Sequence, residues 1–266
     1  MSLLQRRAVA RTLRSILRAA FVIATTVAAE PSQSANRNAL RDIVQEQCLP
    51  HWLQQKDPAP CERVYLTGQP GSDGYAVLAD IKGGAHFLLI SVHTITGIES
   101  PEILGSQALN YFAAAWQARD RLAAVLGHAI PRDDVGLAVN PEHGRGQDQL
   151  HIHIECLGPE VYQILHASAA RLNENWSSIR LAGRDYLALR VMGDDLGINN
   201  PFEILAQRLP GARPAMGAYT LLVAGMQFKD GPGFIVVTGR KVPGAELLLD
   251  STCALAGRGQ EPRARP

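Results

Sequence analysis

The segment Leu150-His-Ile-His-Ile-Glu-Cys-Leu157 decides how the chain is expected to fold, because polar and apolar residues alternate along it. A period of two is typical of a β-strand, in which successive side chains point to opposite faces of the sheet. One face then carries Gln149, His151, His153 and Glu155, and the other carries Leu150, Ile152 and Ile154. The alternation predicts a strand that separates a polar row from a core-facing row.

The histidine pair on this strand has three interpretations when it is taken alone. Two histidines one residue apart occur on ordinary solvent-facing strands, they bind metal ions as a pair, or one of them acts as a nucleophile. The first two cases are the commoner ones. The flanking sequence is therefore needed to choose between them.

Two further blocks surround the strand. Asn140 begins a glycine-bearing turn that contains Gln147, and Asn140 precedes His151 by 11 residues. Upstream, Ala85-His-Phe-Leu-Leu-Ile90 places a small residue and a histidine before an apolar strand, and residues 104–126 between the blocks have helical spacing. Together the three blocks resemble the histidine-triad superfamily. The resemblance implies an α+β fold with an antiparallel sheet and helices, extended here by an additional C-terminal α+β portion.

The same resemblance implies roles for individual side chains. His153 is the expected nucleophile, which forms a nucleotidyl-histidine, and His151 is expected to orient or polarise it. Glu155 stands where the superfamily carries its third histidine, and it could donate a proton to phosphate at neutral pH only with a raised pKa. The expected phosphate-binding residues are Asn140, Gln147, His86 and Lys82, of which the last two are equally compatible with ordinary strand and surface positions. The resemblance implies no metal and no cofactor.

Within the superfamily, the chain looks most like a bacterial, membrane-associated branch that hydrolyses the pyrophosphate of CDP-diacylglycerol. The likeness covers about residues 36–255. It implies CDP-diacylglycerol as the substrate, CMP and phosphatidate as the products, and a membrane surface as a partner. Two rival hypotheses stay open. One is a triad-type hydrolase or nucleotidyltransferase acting on another nucleotide phosphoanhydride, and the other is a metal-binding module that uses His151, His153 and Glu155.

Strand-like and helix-like segments alternate along the rest of the chain, and short turns between strands favour antiparallel pairing. No internal repeat is evident. The predicted strands are 63–67, 75–80, 87–92, 135–139, 150–157, 186–192, 219–228 and 233–238, and the predicted helices are 36–55, 101–126, 161–176 and 201–207.

The first 30 residues differ from the rest. Several arginines between Arg6 and Arg18 precede the apolar run 19–29, which is shorter than a membrane-spanning helix. This order predicts an exported protein, periplasmic or anchored to the bacterial inner membrane, with a cleaved signal or an uncleaved anchor. A cytosolic amphipathic helix is the third alternative. The predicted domains are residues 1–30 as signal or anchor, 31–256 as a histidine-triad-like catalytic domain and 257–266 as a disordered tail.

Four cysteines fit an exported protein, since an even number of cysteines in that setting commonly forms disulfides. Cys48 and Cys61 would close a short loop, and Cys156 and Cys253 are then paired by elimination. The alternative is that Cys156 is a small buried strand residue with a free thiol.

Composition argues against a disordered chain and against a polynucleotide-binding protein. A hydrophobic content of 46% with 19% charged residues indicates a folded globular chain rather than a disordered one. Lys and Arg number 26 against 25 Asp and Glu, so no overall field favours polynucleotides. Nucleic acid is therefore not an expected partner.

Overall fold

The computed structural model describes residues 36–68 and 71–256, so the predicted signal or anchor and the predicted tail lie outside the described residues. The described part begins with three helical segments that follow one another directly. They are α1 (Ala39–Ile43), a π-helical turn (Val44–Cys48) and α2 (Leu49–Gln55). Within the described residues, no helix combines the length and the apolar character needed to cross a bilayer.

In the described part of the chain, ten strands form one sheet in which every strand pairing is antiparallel. The strand order is β1-β2-β3-β5-β4-β8-β9-β7-β6, and β10 pairs with β5. This architecture confirms the predicted α+β class. The strands are β1 (Arg63–Leu66), β2 (Gly74–Ala79), β3 (Phe87–Ser91), β4 (Val135–Val139), β5 (His151–Leu157), β6 (Ser177–Leu181), β7 (Arg184–Met192), β8 (Tyr219–Phe228), β9 (Gly231–Arg240) and β10 (Leu249–Asp250).

Helices cover both faces of the sheet, so β5 is buried on its histidine side as well as on its apolar side. On one face, α3 (Tyr111–Ala118), α4 (Asp120–Leu126) and α6 (Pro201–Arg208) contribute to the largest apolar cluster, which contains Ile152 and Ile154. On the other face, α5 (Pro159–Ser168) packs against the second half of the sheet, and the π-helical turn packs against the first half. The histidines lie on this second face.

The predicted single helix over 101–126 is wrong. The structure has a 3-10 turn at Pro101–Leu104, an irregular link, and then α3 and α4. Gly105 leaves the turn in extended backbone, and Asn110 begins α3 because its side-chain oxygen accepts the N–H of Ala113 at 3.0 Å. Such a cap satisfies a donor that would otherwise be free at the helix start, so it sets the point at which the helix begins.

The segment after β5 also differs from prediction. The helix expected over 161–176 is α5, which ends at Ser168, and β6 follows it without having been predicted. Only Ile179 and Leu181 are buried in β6, which is an edge strand of the sheet. A strand with two buried residues gives too short an alternation to be recognised reliably by its period.

The strand order repeats within the chain. Outward from the central β4–β8 pair, the first half runs β4, β5, β3, β2 and the second half runs β8, β9, β7, β6. Helices separate β3 from β4 and β7 from β8 in the same way. The two halves therefore share a topology that the sequence did not reveal. On the face where β5 carries His151 and His153, β9 contributes Ile235 and Val237 to an apolar cluster, so the chemistry differs between the halves.

Two disulfides join distant parts of the chain to the sheet. Cys48–Cys61 connects the π-helical turn to the loop before β1, and Cys156–Cys253 connects β5 to the segment after β10. The second bridge links residues 97 positions apart. It therefore holds the C-terminal segment against the strand that carries the histidines.

Candidate active site

The strand that carries the histidine pair, β5 (the candidate active strand), lies between β3 and β4, and all seven of its residues are buried. His151 pairs with Ile90, and His153 pairs with Leu88 on one side and with Ala138 on the other. Cross-strand partners share a face, so both imidazoles have apolar neighbours. Buried polar groups in such surroundings require hydrogen-bond partners.

His86, which directly precedes β3, supplies a third imidazole behind His153. Its Nε2 atom lies 3.0 Å from Nδ1 of His153 and 3.1 Å from Oε1 of Glu155. On its other side, Nδ1 of His86 lies 3.7 Å from Oδ1 of Asp80. When Nδ1 of His153 donates its proton to His86, the neutral ring of His153 keeps its lone pair on Nε2. This contact therefore supports the tautomer that a nucleophilic Nε2 requires.

His151 has a defined tautomer. Its Nδ1 atom lies 2.7 Å from the backbone oxygen of Gln149. A carbonyl oxygen only accepts, so Nδ1 of His151 carries the proton. Gln149 is itself fixed, because its Nε2 donates to the backbone oxygens of Ser91 and His93 at 2.7 and 2.6 Å. The ring of His151 meets that of His153 edge-on, with centroids 5.0 Å apart, and helps to orient it.

Burial determines the protonation state of this cluster. Desolvation lowers the pKa of His86 and His151, and it lowers the pKa of His153 well below the ordinary value, with a further contribution from the other two histidines. Desolvation, followed by repulsion from Glu246, raises the pKa of Glu155 to about 8. At pH 7 the three rings are therefore neutral and Glu155 is mostly protonated. The raised pKa satisfies the condition under which a carboxyl group at this position can donate a proton.

A cavity of about 610 Å³ opens in front of His151 and His153. Nε2 of His153 is buried at its wall and has no hydrogen-bond partner among the described residues. Oε2 of Glu246 lies 3.1 Å from this nitrogen, but not in the direction that a hydrogen bond to the ring requires. The carboxylate of Glu246 therefore lies beside Nε2 of His153 without forming a hydrogen bond to it.

Gln147 borders the cavity, and both ends of its amide are engaged. Its Oε1 accepts the backbone N–H of Leu40 at 3.0 Å, and its Nε2 donates to the backbone oxygen of Asn36 at 2.9 Å. These contacts attach the start of the first helical segment to the turn before β5. The phosphate contact expected of Gln147 stays a prediction.

Asn140 and Lys82 also line the cavity, whereas His86 and Glu155 lie behind His153 and are not among its lining residues. Oδ1 of Asn140 accepts the backbone N–H of Glu246 at 3.3 Å. Lys82 is exposed at the cavity wall. The structure thus brings all seven predicted side chains together around His153. Four of them line the cavity with His153, and His86 and Glu155 lie behind it.

Ionic contacts hold the turn before β5. Arg145 donates to both carboxylate oxygens of Glu99 at 2.7 Å, and its Nε contacts Asp148 at 3.2 Å. Arg37 reaches the other side of Asp148 at 2.7 Å. A bidentate arginine is a rigid connection, so it fixes the approach of the chain to the active strand.

Comparison with known proteins identifies the family of the chain. A family model described as CDP-diacylglycerol pyrophosphatase matches residues 35–257. The chain belongs to the CDP-diacylglycerol pyrophosphatase family. A CDP-diacylglycerol pyrophosphatase from Yersinia pestis is 39% identical over 227 residues, which cover 82% of this chain and 85% of the relative. This membership confirms the predicted family and the predicted enzyme class, a hydrolase of phosphorus-containing anhydrides.

The sequence did not predict two acidic residues of the site, Asp80 and Glu246. Asp80 follows β2, and its Oδ1 accepts the backbone N–H of Lys82 at 2.8 Å. Glu246 belongs to the 3-10 turn Ala245–Leu248, in the C-terminal half of the chain. No spacing connects Glu246 with β5. The available cue was the Cys156–Cys253 pair, which brings that part of the chain onto the active strand.

A possible metal-binding set differs from the one expected. Nε2 of His86, Nδ1 of His153 and Oε1 of Glu155 all lie within 4.8 Å of one another. His86 thus takes the place of His151 in the metal hypothesis. Two imidazoles and a carboxylate suit zinc or manganese. An ion held there would bind His153 from behind and leave its Nε2 facing the cavity.

Proposed function

We propose that the chain hydrolyses the pyrophosphate of CDP-diacylglycerol to CMP and phosphatidate through a nucleotidyl-histidine on Nε2 of His153. One observation carries the proposal: in a chain of this family, that nitrogen is buried at the cavity wall and has no hydrogen-bond partner among the described residues. Its low pKa keeps the ring neutral at pH 7, and only the neutral ring has the lone pair that attacks phosphorus.

The reaction consists of two displacements at one phosphorus atom. In the first, Nε2 of His153 attacks the phosphorus next to cytidine, the bond to the bridging oxygen breaks, and phosphatidate leaves with that electron pair. The ring becomes cationic, so the hydrogen bond from its Nδ1 to His86 strengthens as charge develops. In the second, water attacks the same phosphorus, the P–N bond breaks, and CMP is released.

The cavity wall carries a cation and two amides that can meet a pyrophosphate, beside the carboxylates of Asp80 and Glu246. Lys82 is the only cation among the described residues that line the cavity. The amide groups of Asn140 and Gln147 lie at the same wall and can approach phosphate oxygens without adding charge. Protonation of Glu155 removes a negative charge from behind His153, which lowers the repulsion that an anionic substrate would meet.

The cavity also has a wall that suits a lipid. Its volume of about 610 Å³ is in the range of sites that enclose a small ligand. We therefore expect it to enclose the nucleotide and glycerol portions, while the acyl chains leave over the apolar wall into a membrane. Ile81 on that wall is fully exposed, next to Lys82. The larger apolar lining residues are Leu40, Ile43, Pro60, Leu78, Ile81 and Leu88.

Location outside the cytoplasm, in the periplasm or at the inner membrane, belongs to the same proposal. It is supported by the basic and apolar order of residues 6–29 and by the two disulfides, which persist mainly in oxidising compartments. Cell fractionation, together with the intact mass of the purified protein, tests it. A soluble cytoplasmic protein with four free thiols would contradict it.

The central test compares substrates and follows phosphorus. We expect turnover of CDP-diacylglycerol, loss of turnover in His153→Ala, and little change in His128→Ala, whose side chain contacts the backbone oxygen of the neighbouring Ala129. A substrate chiral at the cytidine-side phosphorus should give retention of configuration, because two displacements invert it twice. Inversion would contradict the covalent route. Cleavage of dinucleotides in preference to the lipid would contradict the proposal that CDP-diacylglycerol is the substrate.

A metal-binding module is the second candidate, and the cluster of His86, His153 and Glu155 favours it. It predicts loss of turnover on incubation with a chelator and recovery on addition of zinc or manganese. The covalent route proposed above needs no ion, so it predicts unchanged turnover in chelator. Elemental analysis of the purified protein provides an independent readout.

A further inference from the structure

Glu246 is the feature of the site that the roles described so far leave unused. Its Oε2 lies 3.1 Å from Nε2 of His153, and its side chain is 31% exposed at the cavity wall. The 3-10 turn that carries it crosses back from the second half of the sheet, and the backbone N–H of Glu246 is held by Asn140. The fold thus places an ionisable oxygen beside the reacting nitrogen.

The second displacement requires a group that removes a proton from water. Nε2 of His153 is bonded to phosphorus at that stage. Nδ1 of His151 donates to the backbone oxygen of Gln149, and although Nε2 of His151 keeps its lone pair, desolvation lowers the pKa of this ring and weakens it as a base. Glu155 lies behind His153, on the side of His86, away from the cavity. These three groups are therefore less suited than a carboxylate at the cavity wall to activating water.

The described cavity wall has two carboxylates, those of Asp80 and Glu246. Oδ1 of Asp80 accepts the backbone N–H of Lys82 at 2.8 Å and faces His86. Glu246 instead flanks Nε2 of His153 directly. Glu246 is therefore the better placed of the two carboxylates, because it lies beside Nε2 of His153 whereas Asp80 is held by Lys82.

We propose that Glu246 is the general base that activates water for hydrolysis of the nucleotidyl-His153, an inference that rests on the covalent route proposed above. Glu246 takes one proton from water as the water oxygen bonds to phosphorus. The P–N bond breaks, and its electron pair returns to Nε2 of His153. CMP leaves, and Glu246 then releases its proton to solvent through its exposed side.

The off-axis position of Glu246 fits both displacements. Because the carboxylate does not lie along the hydrogen-bonding direction of Nε2, it leaves that lone pair free for the first attack. Once the phosphoryl group is on Nε2, water must approach the phosphorus from the side opposite the nitrogen. A partly exposed glutamate has enough side-chain freedom to bridge to that water, while the hydrogen bond from its backbone to Asn140 keeps its origin fixed.

The experiment is rapid-quench kinetics on Glu246→Gln, with Glu160→Gln as the matched control at an exposed position on α5. We expect a burst of phosphatidate close to one equivalent per site, followed by steady turnover slowed by about 10²- to 10⁴-fold, the range that proton transfer contributes. The nucleotidyl-enzyme should accumulate and be detectable by intact mass after an alkaline quench. Azide, a nucleophile that needs no base, should release the nucleotide from the variant. Glu160→Gln should behave like the unmodified chain.

The possible failures are distinguishable. Turnover of Glu246→Gln at the unmodified rate would overturn the assignment, and so would slow turnover without burst or adduct in a variant whose melting temperature is unchanged. If the unmodified chain still gives retention at phosphorus, the covalent route survives either result. Inversion in the unmodified chain would overturn the covalent route, and the role of Glu246 with it.

Discussion

Oδ1 of Asn140 accepts the backbone N–H of Glu246 at 3.3 Å, so the turn before the active strand holds the turn that carries Glu246. The contact depends on Gly244, where a Cβ atom would overlap the side-chain oxygen of Asn140. The two halves of the chain therefore meet in the catalytic region through a close approach that only glycine permits.

Gly244→Ala should push the 245–248 turn away from Asn140 and displace Glu246 from His153. Because small misplacements of reacting groups have large kinetic effects, we expect turnover to fall by about 10- to 100-fold. Circular dichroism should show an unchanged fold. Gly68→Ala is the control, since a Cβ there makes only ordinary contacts with Ser72. Full turnover in Gly244→Ala would show that the close approach has no catalytic importance.

Activity should fall as the pH rises through about 8, because ionisation of Glu155 then places a negative charge behind His153. Glu155→Gln imitates the protonated form and should keep its activity above pH 8. The measurement is the pH profile of kcat/KM for both proteins. Parallel alkaline losses in the two profiles would assign the loss to a different group.

The same substitution should change the pH dependence of stability. The pKa of Glu155 is raised in the folded chain, so the folded state binds a proton more tightly than the unfolded state. The contribution of protonated Glu155 to the free energy of unfolding is complete below about pH 4.5. It is lost as the pH rises to about 8, an effect of up to roughly 5 kcal/mol. Glu155→Gln should therefore raise the free energy of unfolding at pH 9 and change it little at pH 4.5. Equal changes at both values would indicate a packing effect.

The two disulfides should contribute unequally. Chain entropy predicts a loss of about 3 kcal/mol in the free energy of unfolding for Cys48→Ala with Cys61→Ala, and about 5 kcal/mol for Cys156→Ala with Cys253→Ala. Only the second pair holds the C-terminal segment on β5, so only its removal should also reduce turnover. Denaturant titration and steady-state kinetics of both double variants measure the difference. Equal loss of turnover would argue against a specific role for the second bridge.

Lys82→Ala should weaken substrate binding more than chemistry, because the side chain lies at the cavity wall rather than beside Nε2 of His153. We expect KM to rise several-fold, with a smaller effect at high salt, where the attraction of the exposed charge is screened. Lys229→Ala, at an exposed position outside the cavity lining, serves as the control. A kcat effect larger than the KM effect would place Lys82 in the chemical step instead.

The active strand could be predicted from the sequence because its signal is local. Alternation over eight residues sets which side chains share a face. The block at Asn140 is connected to the strand by a fixed spacing, and the block at His86 by its order along the chain. The class of the fold followed from the same local patterns.

What could not be predicted depends on contacts between distant segments. The apolar faces of residues 101–126 suggested one helix, but the cap formed by Asn110 divides the segment. Glu246 has no periodic relationship to β5, so its position emerges only when the second half folds over the first. The repeat was hidden because Ile235 and Val237 share no chemistry with the histidines of β5.

The central β4–β8 pairing determines how small a working fragment can be. A fragment that ends after α5 would leave the backbone donors and acceptors of β4 without β8, as an open strand edge prone to self-association. It would also lose β10, Cys253 and Glu246. We therefore expect a truncated fragment to lack turnover on two grounds, aggregation and the loss of Glu246, although every residue of the histidine motif would still be present.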